Sequence, residues 1–404
     1  MIGATRTYGW LVVFASMVMM AVGAGAPYTV VVALKPIAAE FGWPRAVPSL
    51  CYALVMFGAG VGGLVMGRWA DRGSVLPPAL IGAVALPAGA WLASSGDGIV
   101  TLLVAYGLFM GFLGNGAFVA PLLANAMRWF DRRRGIAIGI VASGQTLAGA
   151  LWPPLLRYLN DSVGWRQTLV VYGAIALATL LPLTLVLRRA PPRVEGPARH
   201  DAPWDGRALG WPAERVQVML CLAIIGCCVA MAMPMVHLIA YATDLGISGA
   251  RAAEMLSVLL ACAFLSRLGF GLMADRLGGL WTLLIGSAGQ AAMLAAFAVV
   301  DSFAGLYLVA ALFGLVHGGI VPSYALIVRE LFPAGHAGRR IGMVVLFGTI
   351  GMALGGWLGG QIFDLYGSYR PAFMVGLAFN LGNLVLVGML LHRQGRVALR
   401  ALPA

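Results

Sequence analysis

Charged residues are scarce in this sequence. They make up 10% of its 404 residues, where soluble domains carry roughly 25%. The chain also lacks a phosphate-binding loop, a nucleophilic triad and any cluster of metal-ligating residues. An ATP-driven pump and an enzyme of those chemistries are therefore excluded, and neither cofactor nor metal is expected. Its five cysteines, Cys51, Cys221, Cys227, Cys228 and Cys262, lie in apolar segments without ligand spacing and read as packing residues. The first apolar block is too long for the core of a cleavable signal, so none is expected.

What is abundant is apolar sequence, 61% of residues, arranged in long blocks. Leu11 to Val32 carries no charge. A hydrocarbon core about 30 Å thick needs roughly 20 helical residues to cross it. Barrel strands would alternate polar and apolar, which these blocks do not. Helices satisfy their own backbone hydrogen bonds, as lipid requires. The expected fold is an all-α membrane protein embedded in the bilayer, with twelve transmembrane helices. They are placed at 8–33, 46–66, 76–95, 99–127, 133–156, 166–188, 214–242, 250–274, 280–299, 302–328, 338–362 and 370–392.

The net charge of +12 does not indicate nucleic acid, because the basic residues sit in short loops between spans. With both termini cytoplasmic, inner segments hold 20 of them: Arg6, Arg68, Arg72, Arg128, Arg132, Arg133, Arg134, Arg188, Arg189, Arg193, Arg199, Arg207, Arg215, Arg276, Arg329, Arg339, Arg340, Arg393, Arg396 and Arg400. Outer segments hold six: Lys35, Arg45, Arg157, Arg166, Arg251 and Arg370. This asymmetry is the positive-inside pattern of a multi-pass protein, expected in the cell (inner) membrane. Arg267 belongs to neither group.

The spans fall into two sets of six. Residues 1–188 form the first and 214–404 the second. The polar, Pro-rich stretch 189–213 reads as a cytoplasmic linker. The sets match at a fixed offset. Gly67-Arg68-Trp69-Ala70-Asp71-Arg72 pairs with Gly271-Leu272-Met273-Ala274-Asp275-Arg276, so the shift is 275 − 71 = 204 residues. Gly164-Trp165-Arg166 pairs with Ser368-Tyr369-Arg370. A six-span repeat implies two bundles with a binding site between them.

The doubled Gly-x-x-Ala-Asp-Arg segment resembles the signature loops of the major facilitator superfamily. The run from Trp129 to Gly139 (WFDRRRGIAIG), and Leu34-Lys35-Pro36 through Phe41-Gly42-Trp43, resemble the monocarboxylate porter and oxalate/formate exchanger branch. Ser266-Arg267-Leu268-Gly269 matches the branch's substrate-binding arginine. The resemblance implies a secondary active transporter working by alternating access, functional as a monomer. It also implies that Asp71, Arg72, Asp275 and Arg276 form a conformational latch at the inner helix ends. Porters of this branch place an Asp one turn before the arginine, where this chain has Ala263. Oxalate exchangers add a lysine in span eleven, and residues 338–362 contain none.

Arg267 precedes Asp275, which marks the inner membrane edge, by eight residues. At 1.5 Å per residue it lies about 12 Å inside, near the midplane. A cation there costs at least about 2.5 kcal/mol unless paired or hydrated, and no Asp or Glu of the sequence falls at that depth. A substrate carboxylate suits the guanidinium fork. Asn115, Gln145, His317 and Tyr28 reach similar depth and are expected to line the site, although deep polar residues also serve as helix–helix contacts. Asn115 and His317 stand in glycine-interrupted segments at corresponding places of the two halves. His237 and His317 are the candidates for carrying a proton, and Tyr324 is a gate candidate. Gly58-x-Gly60-x-x-Gly63 and Gly351-x-x-x-Gly355-x-x-x-Gly359 read as close helix packing. The expected substrate is a small organic monocarboxylate, lactate- or pyruvate-like, moved with a proton. The alternatives are an organic-anion exchanger of the oxalate/formate type, a drug or sugar carrier of the same fold, and a membrane sensor.

Overall fold

Long apolar blocks joined by short polar stretches should form helices end to end, and they do. The computed structural model describes residues 2–130, 134–189, 191 and 206–400. Arg132, Arg133 and residues 192–205 of the expected linker lie outside the described residues, as does the side chain of Asp71. Among the described residues, eleven helical stretches are long and apolar enough to cross a membrane. One of them, residues 137–186, is 50 residues long and turns at Gly164 (φ 80°, ψ 162°), a conformation open to glycine alone. It therefore supplies two crossings, and the expected all-α fold with twelve membrane helices is the one formed. The described strands are a hairpin of two residues each, Arg207–Ala208 with Trp211–Pro212.

Span one differs from expectation in its length. Its second helix, Ala26–Phe41, runs through Pro36 and ends at Gly42 in the left-handed conformation (φ 64°), eight residues beyond the expected end. Pro36 has the dihedral a helix needs and forfeits a single hydrogen bond, so the helix continues to the glycine cap.

Contacts gather the residues into two units. One holds residues 1–196 with 239–257, and the other holds 197–238 with 258–404. In the first unit, Lys35 Nζ donates to Asp244 Oδ1 at 2.9 Å, and the Arg45 guanidinium grips the same carboxylate. These bonds hold the end of span seven among the first-unit helices.

Three spans are broken, and the breaks have one cause. Proline lacks an N–H and its ring presses on the carbonyl four residues earlier. Span one breaks between Gly23 and Ala26, just before Pro27. Span four passes through a π-helical stretch, Ala105–Gly114, and a 3-10 turn, Asn115–Ala117, before Pro121. Span ten breaks between His317 and Ile320, just before Pro322. Pro87, Pro182 and Pro234 stay inside continuous helices. Spans one and ten each carry two glycines within four residues before the proline, Gly23 and Gly25 before Pro27 and Gly318 and Gly319 before Pro322. Glycine lowers the local cost of leaving the helix.

The expected glycine packing is present in part: Gly58, Gly351 and Gly355 approach a neighbouring backbone, whereas Gly63 meets its nearest neighbour at 3.8 Å and Gly359 meets the His237 ring. Gly58 and Gly62 of span two lie on the backbone of span four, where a Cβ on Gly62 would strike Phe112. Gly351 and Gly355 of span eleven lie on the backbone of span seven at Ile225 and Val229. The repeat recurs here too, because Gly314 and Gly318 of span ten lie on span eight at Leu259 and Ala263.

The signature segments meet at one end of the first unit. Phe41 stacks on Trp43 with ring centroids 4.2 Å apart. Trp165 Nε1 and Arg166 Nε both donate to Glu40, and the Arg166 guanidinium lies 5.4 Å from the Phe41 ring centre. Arg166 also bonds the Ser94 and Gly96 carbonyls, at 2.7 and 3.0 Å, and Asp97 at 3.2 Å. In the second unit Arg370 pairs with Asp301. Both members are shifted by the repeat length: 370 − 166 = 204 and 301 − 97 = 204.

Neighbouring glycines provide a test of the packing. A Cβ on Gly62 overlaps the Phe112 backbone, whereas one on Gly63 meets its nearest neighbour at 3.8 Å. Gly62→Ala should therefore destabilise the protein by about 1–3 kcal/mol, the usual cost of overpacking, and Gly63→Ala should leave it near wild type. Thermal unfolding of the two purified variants in one detergent checks this, and equal melting temperatures would contradict the close approach.

Candidate functional site

Tyr28, Asn115 and His317 lie at helix breaks, in each unit separately, and Arg267 lies on the continuous span eight. In the second unit, Ser266 of span eight is buried, and its hydroxyl donates to the Ala263 carbonyl at 3.0 Å and the Gly314 carbonyl at 3.4 Å. That contact presses span eight onto span ten at the break. Arg267, the next residue, is turned to the exposed side of its helix. His317 ends the first half of span ten. It is buried, its Nδ1 lies 3.1 Å from the Phe313 carbonyl, and its ring tilts against Phe313 at 5.1 Å. Gly318, the residue after His317, lies on Ala263 and Ser266, so the span-eight segment that carries Arg267 packs on the span-ten break, with the guanidinium fork on the accessible side.

In the first unit, the break in span one leaves backbone groups that its own helix no longer satisfies. The Gly25 N–H turns back to the Val22 carbonyl at 3.0 Å, which releases the Ala21 carbonyl. Trp152 Nε1 donates to Ala21 O at 2.9 Å, and the Tyr172 hydroxyl donates to Val22 O at 2.9 Å. Beyond the break, Thr29 Oγ1 lies 3.2 Å from the Tyr106 hydroxyl at the start of the π-helical stretch. Asn115 follows that stretch and is buried. A methyl on Gly23 would come within 3.7 Å of its Oδ1, so the breaks of spans one and four face each other. Tyr28 is half-buried just past the break, and Gln145 is exposed on span five beside Gly144, which packs on span one at Met17.

Other expected residues lie apart from the breaks. His237 is fully buried, with Nε2 2.8 Å from the Gly356 carbonyl and its ring stacked on Tyr369 at 4.9 Å. It ties spans seven, eleven and twelve together. Tyr324 is also fully buried and donates its hydroxyl to Asn383 Oδ1 at 2.9 Å. Asn383 Nδ2 donates in turn to Ser287 Oγ at 2.9 Å and Asn380 Oδ1 at 3.0 Å. This polar network inside the second unit joins spans nine, ten and twelve. Arg72, Asp275 and Arg276 are exposed at helix ends, with no hydrogen bond or ion pair among the described residues.

Sequence reasoning overlooked the residues that support the site. Trp152 and Tyr172 carried no motif. A pair of glycines just before a proline in spans one and ten was the available signal for those breaks. Asp97 and Asp301 could have been found by extending the offset of 204 beyond the signature loops.

The family model of the Major Facilitator Superfamily matches residues 9–218 and 218–403. Monocarboxylate transporter 13 of Bos taurus is 29% identical over 398 residues, spanning 94% of this chain and 89% of that protein. Monocarboxylate transporter 11 of Homo sapiens is 27% identical, spanning 95% and 82%. Among solved structures, a bacterial homolog of the human lysosomal transporter Spinster superposes with a TM-score of 0.69 at 15% identity, covering 96% of both chains. The nucleoside transporter NupG superposes with the same score at 14% identity, covering 96% and 99%. These two show the shared fold. Two family matches that meet at residue 218, with relatives along nearly the whole length, make this chain a non-enzymatic membrane transporter belonging to the Major Facilitator Superfamily and resembling its monocarboxylate transporter branch.

Proposed function

We propose that the protein moves a small organic monocarboxylate, lactate- or pyruvate-like, together with a proton by alternating access. The observation that carries this reading is Arg267 on the accessible side of span eight, in the segment that packs on the span-ten break. A guanidinium offers two parallel donors to a carboxylate, and a single cation suits a monoanion. A proton moving with the anion makes the step electroneutral and avoids about 2.3 kcal/mol per charge per 100 mV. His317 and His237 are the two candidates for the proton. Tyr28, Asn115 and Gln145 are the polar groups proposed for the first half. The 20-to-6 basic asymmetry supports cytoplasmic termini in an inner membrane. The repeated Asp-Arg pairs, Asp71-Arg72 and Asp275-Arg276, support a latch at the inner helix ends.

Arg267→Lys should cripple uptake while leaving the protein folded. Lysine keeps the charge but loses the fork, and one lost charge-assisted bond of about 2 kcal/mol corresponds to roughly thirty-fold weaker binding. Arg267→Ala should abolish binding. The check is titration of purified variants with an organic-acid panel that includes lactate, pyruvate and oxalate, alongside melting temperatures. Wild-type affinity in a folded Arg267→Ala protein would refute the docking role.

His317→Gln combined with His237→Gln should flatten the pH dependence of proteoliposome uptake, because these are the deep groups that titrate near neutrality in the free amino acid. A double variant that still accumulates substrate along a pH gradient would assign the proton elsewhere.

Asp71→Asn should weaken the latch and favour the inward-facing state. Spin-label distances across the outer mouth should shift toward the closed value, and an unchanged distribution would count against the latch.

A further inference from the structure

Of the 27 lysines and arginines in the sequence, Lys35 is the single lysine. It lies toward the end of span one, on the outer side in the orientation proposed above. It converges with Arg45, at the start of span two, on the carboxylate of Asp244, the last residue of the span-seven helix Ala213–Asp244. Lys35 Nζ donates to Asp244 Oδ1 at 2.9 Å and to Thr243 Oγ1 at 3.1 Å. Arg45 Nη2 donates to the same Oδ1 at 2.9 Å and Nη1 donates to Oδ2, so the guanidinium holds both oxygens. None of these residues belongs to the Arg267 site.

The repeat makes this arrangement unusual. Gly42 and Gly246 follow their helices in the left-handed region (φ 64° and 84°) and stand one repeat apart, 246 − 42 = 204. The carboxylates two positions earlier, Glu40 and Asp244, therefore correspond. Glu40 is held within its own half by Trp165 and Arg166. In the second half, the counterpart of Arg166 is Arg370, which pairs with Asp301, and Asp244 is gripped by two first-half cations instead. The positions 204 residues after Lys35 and Arg45 are Ile239 and Gly249, which carry no charge. The pair of cations is thus an addition to the first copy of the scaffold, and a carboxylate from the second copy fills it.

A bidentate guanidinium with an ammonium beside it suits a planar carboxylate, and Asp244 demonstrates the fit. The pair is within reach of solvent: the Lys35 side chain is 37% accessible and that of Arg45 17%. Span seven starts in the second unit, and from residue 239 onward it belongs to the first. When a carrier opens this end by parting its halves, Asp244 leaves with span seven and both cations lose their partner together. Charge-assisted bonds are costly to lose. A second carboxylate that takes the vacated place removes that cost.

We propose that Lys35 and Arg45 form an outer receiving site for the carboxylate of the incoming anion, with Asp244 as the built-in occupant that the anion displaces. Exchange of one carboxylate for another keeps the ion pairs, so arrival of the anion favours opening. The anion is then held at the mouth before it reaches Arg267. This site rests on the monocarboxylate reading above and adds a second docking point to it.

Lys35 also supplies the readout, because the chain offers an acylating reagent one lysine and one terminal amine. The full chain carrying Arg267→Gln, which silences the deep site, is treated in detergent with a neutral succinimidyl ester. Mass spectrometry follows the Lys35 peptide against the terminal amine. Asp244→Asn should raise the Lys35 rate by about ten-fold, the equivalent of one charge-assisted bond. Lactate or acetate should return it to the rate seen with Asp244 in place, at concentrations at least about ten-fold below those needed for chloride. Lactamide, which has no charge, should have no effect. Adding Arg45→Gln should weaken protection by the carboxylates by about ten-fold or more. Asp244→Ala, with its melting temperature measured, carries the same series where the asparagine variant fails to fold. Equal protection by chloride and lactate, absence of protection, or full protection in the Arg45→Gln variant would each overturn the receiving site. The deep site is silent throughout, so a failure of organic acids to bind at Arg267 and a failure of lactate to protect Lys35 are separate results.

Discussion

A backbone carbonyl in hydrocarbon has no water to turn to, so each one must find a donor inside the protein. Unbroken helices meet that requirement automatically, but three spans here are broken by glycine–proline segments. The rest of the architecture answers those breaks. Trp152 and Tyr172 supply donors to the carbonyls of Ala21 and Val22. The Ser323 hydroxyl donates to Gly319 O at 2.8 Å, just after the break in span ten. Glycines without side chains let span two close on span four and span eight close on span ten. Where the helix is interrupted, polar side chains and backbone dipoles come together at membrane depth. Such places are able to receive a polar solute, and Arg267, His317, Asn115 and Tyr28 are found at or beside them.

The two halves solve this problem in parallel but are not chemically equal. Asp97 with Arg166 and Asp301 with Arg370 perform the same clasp at the same offset. The glycine contacts between second and fourth spans recur between eighth and tenth. Yet the position 204 residues before Arg267 is Gly63, which packs near the Gly116 carbonyl and Ala120. The position equivalent to His317 is Leu113. The scaffold is duplicated, and the charged group is placed in one copy.

Polar residues at similar depth separate into two kinds in the structure. His237, Tyr324, Asn380 and Asn383 are closed into hydrogen-bonded contacts between helices and contribute to holding the second unit together. Arg267 and Gln145 instead point to accessible sides of their helices. Residue type and depth do not distinguish these cases, because the direction of a side chain depends on the rotation of its helix within the bundle.

The sequence by itself determined the membrane location, the helical class, the number of crossings and the repeat, because each depends on local quantities: apolar run length, charge per loop, and recurrence of a motif. It also marked Arg267, since a cation at that depth is conspicuous without any knowledge of packing. The packing role of Gly58, Gly351 and Gly355 was legible for the same reason. Tertiary structure alone decided that the segment carrying Arg267 packs on the span-ten break, that Trp152 and Tyr172 complete the broken first span, and that Glu40 receives Trp165 and Arg166. It also decided that Gln217 is buried, with its Nε2 donating to the Arg340 carbonyl at 3.3 Å. Each of these joins residues distant in the chain, and their meeting is set by how the helices rotate and cross, which no window of sequence encodes.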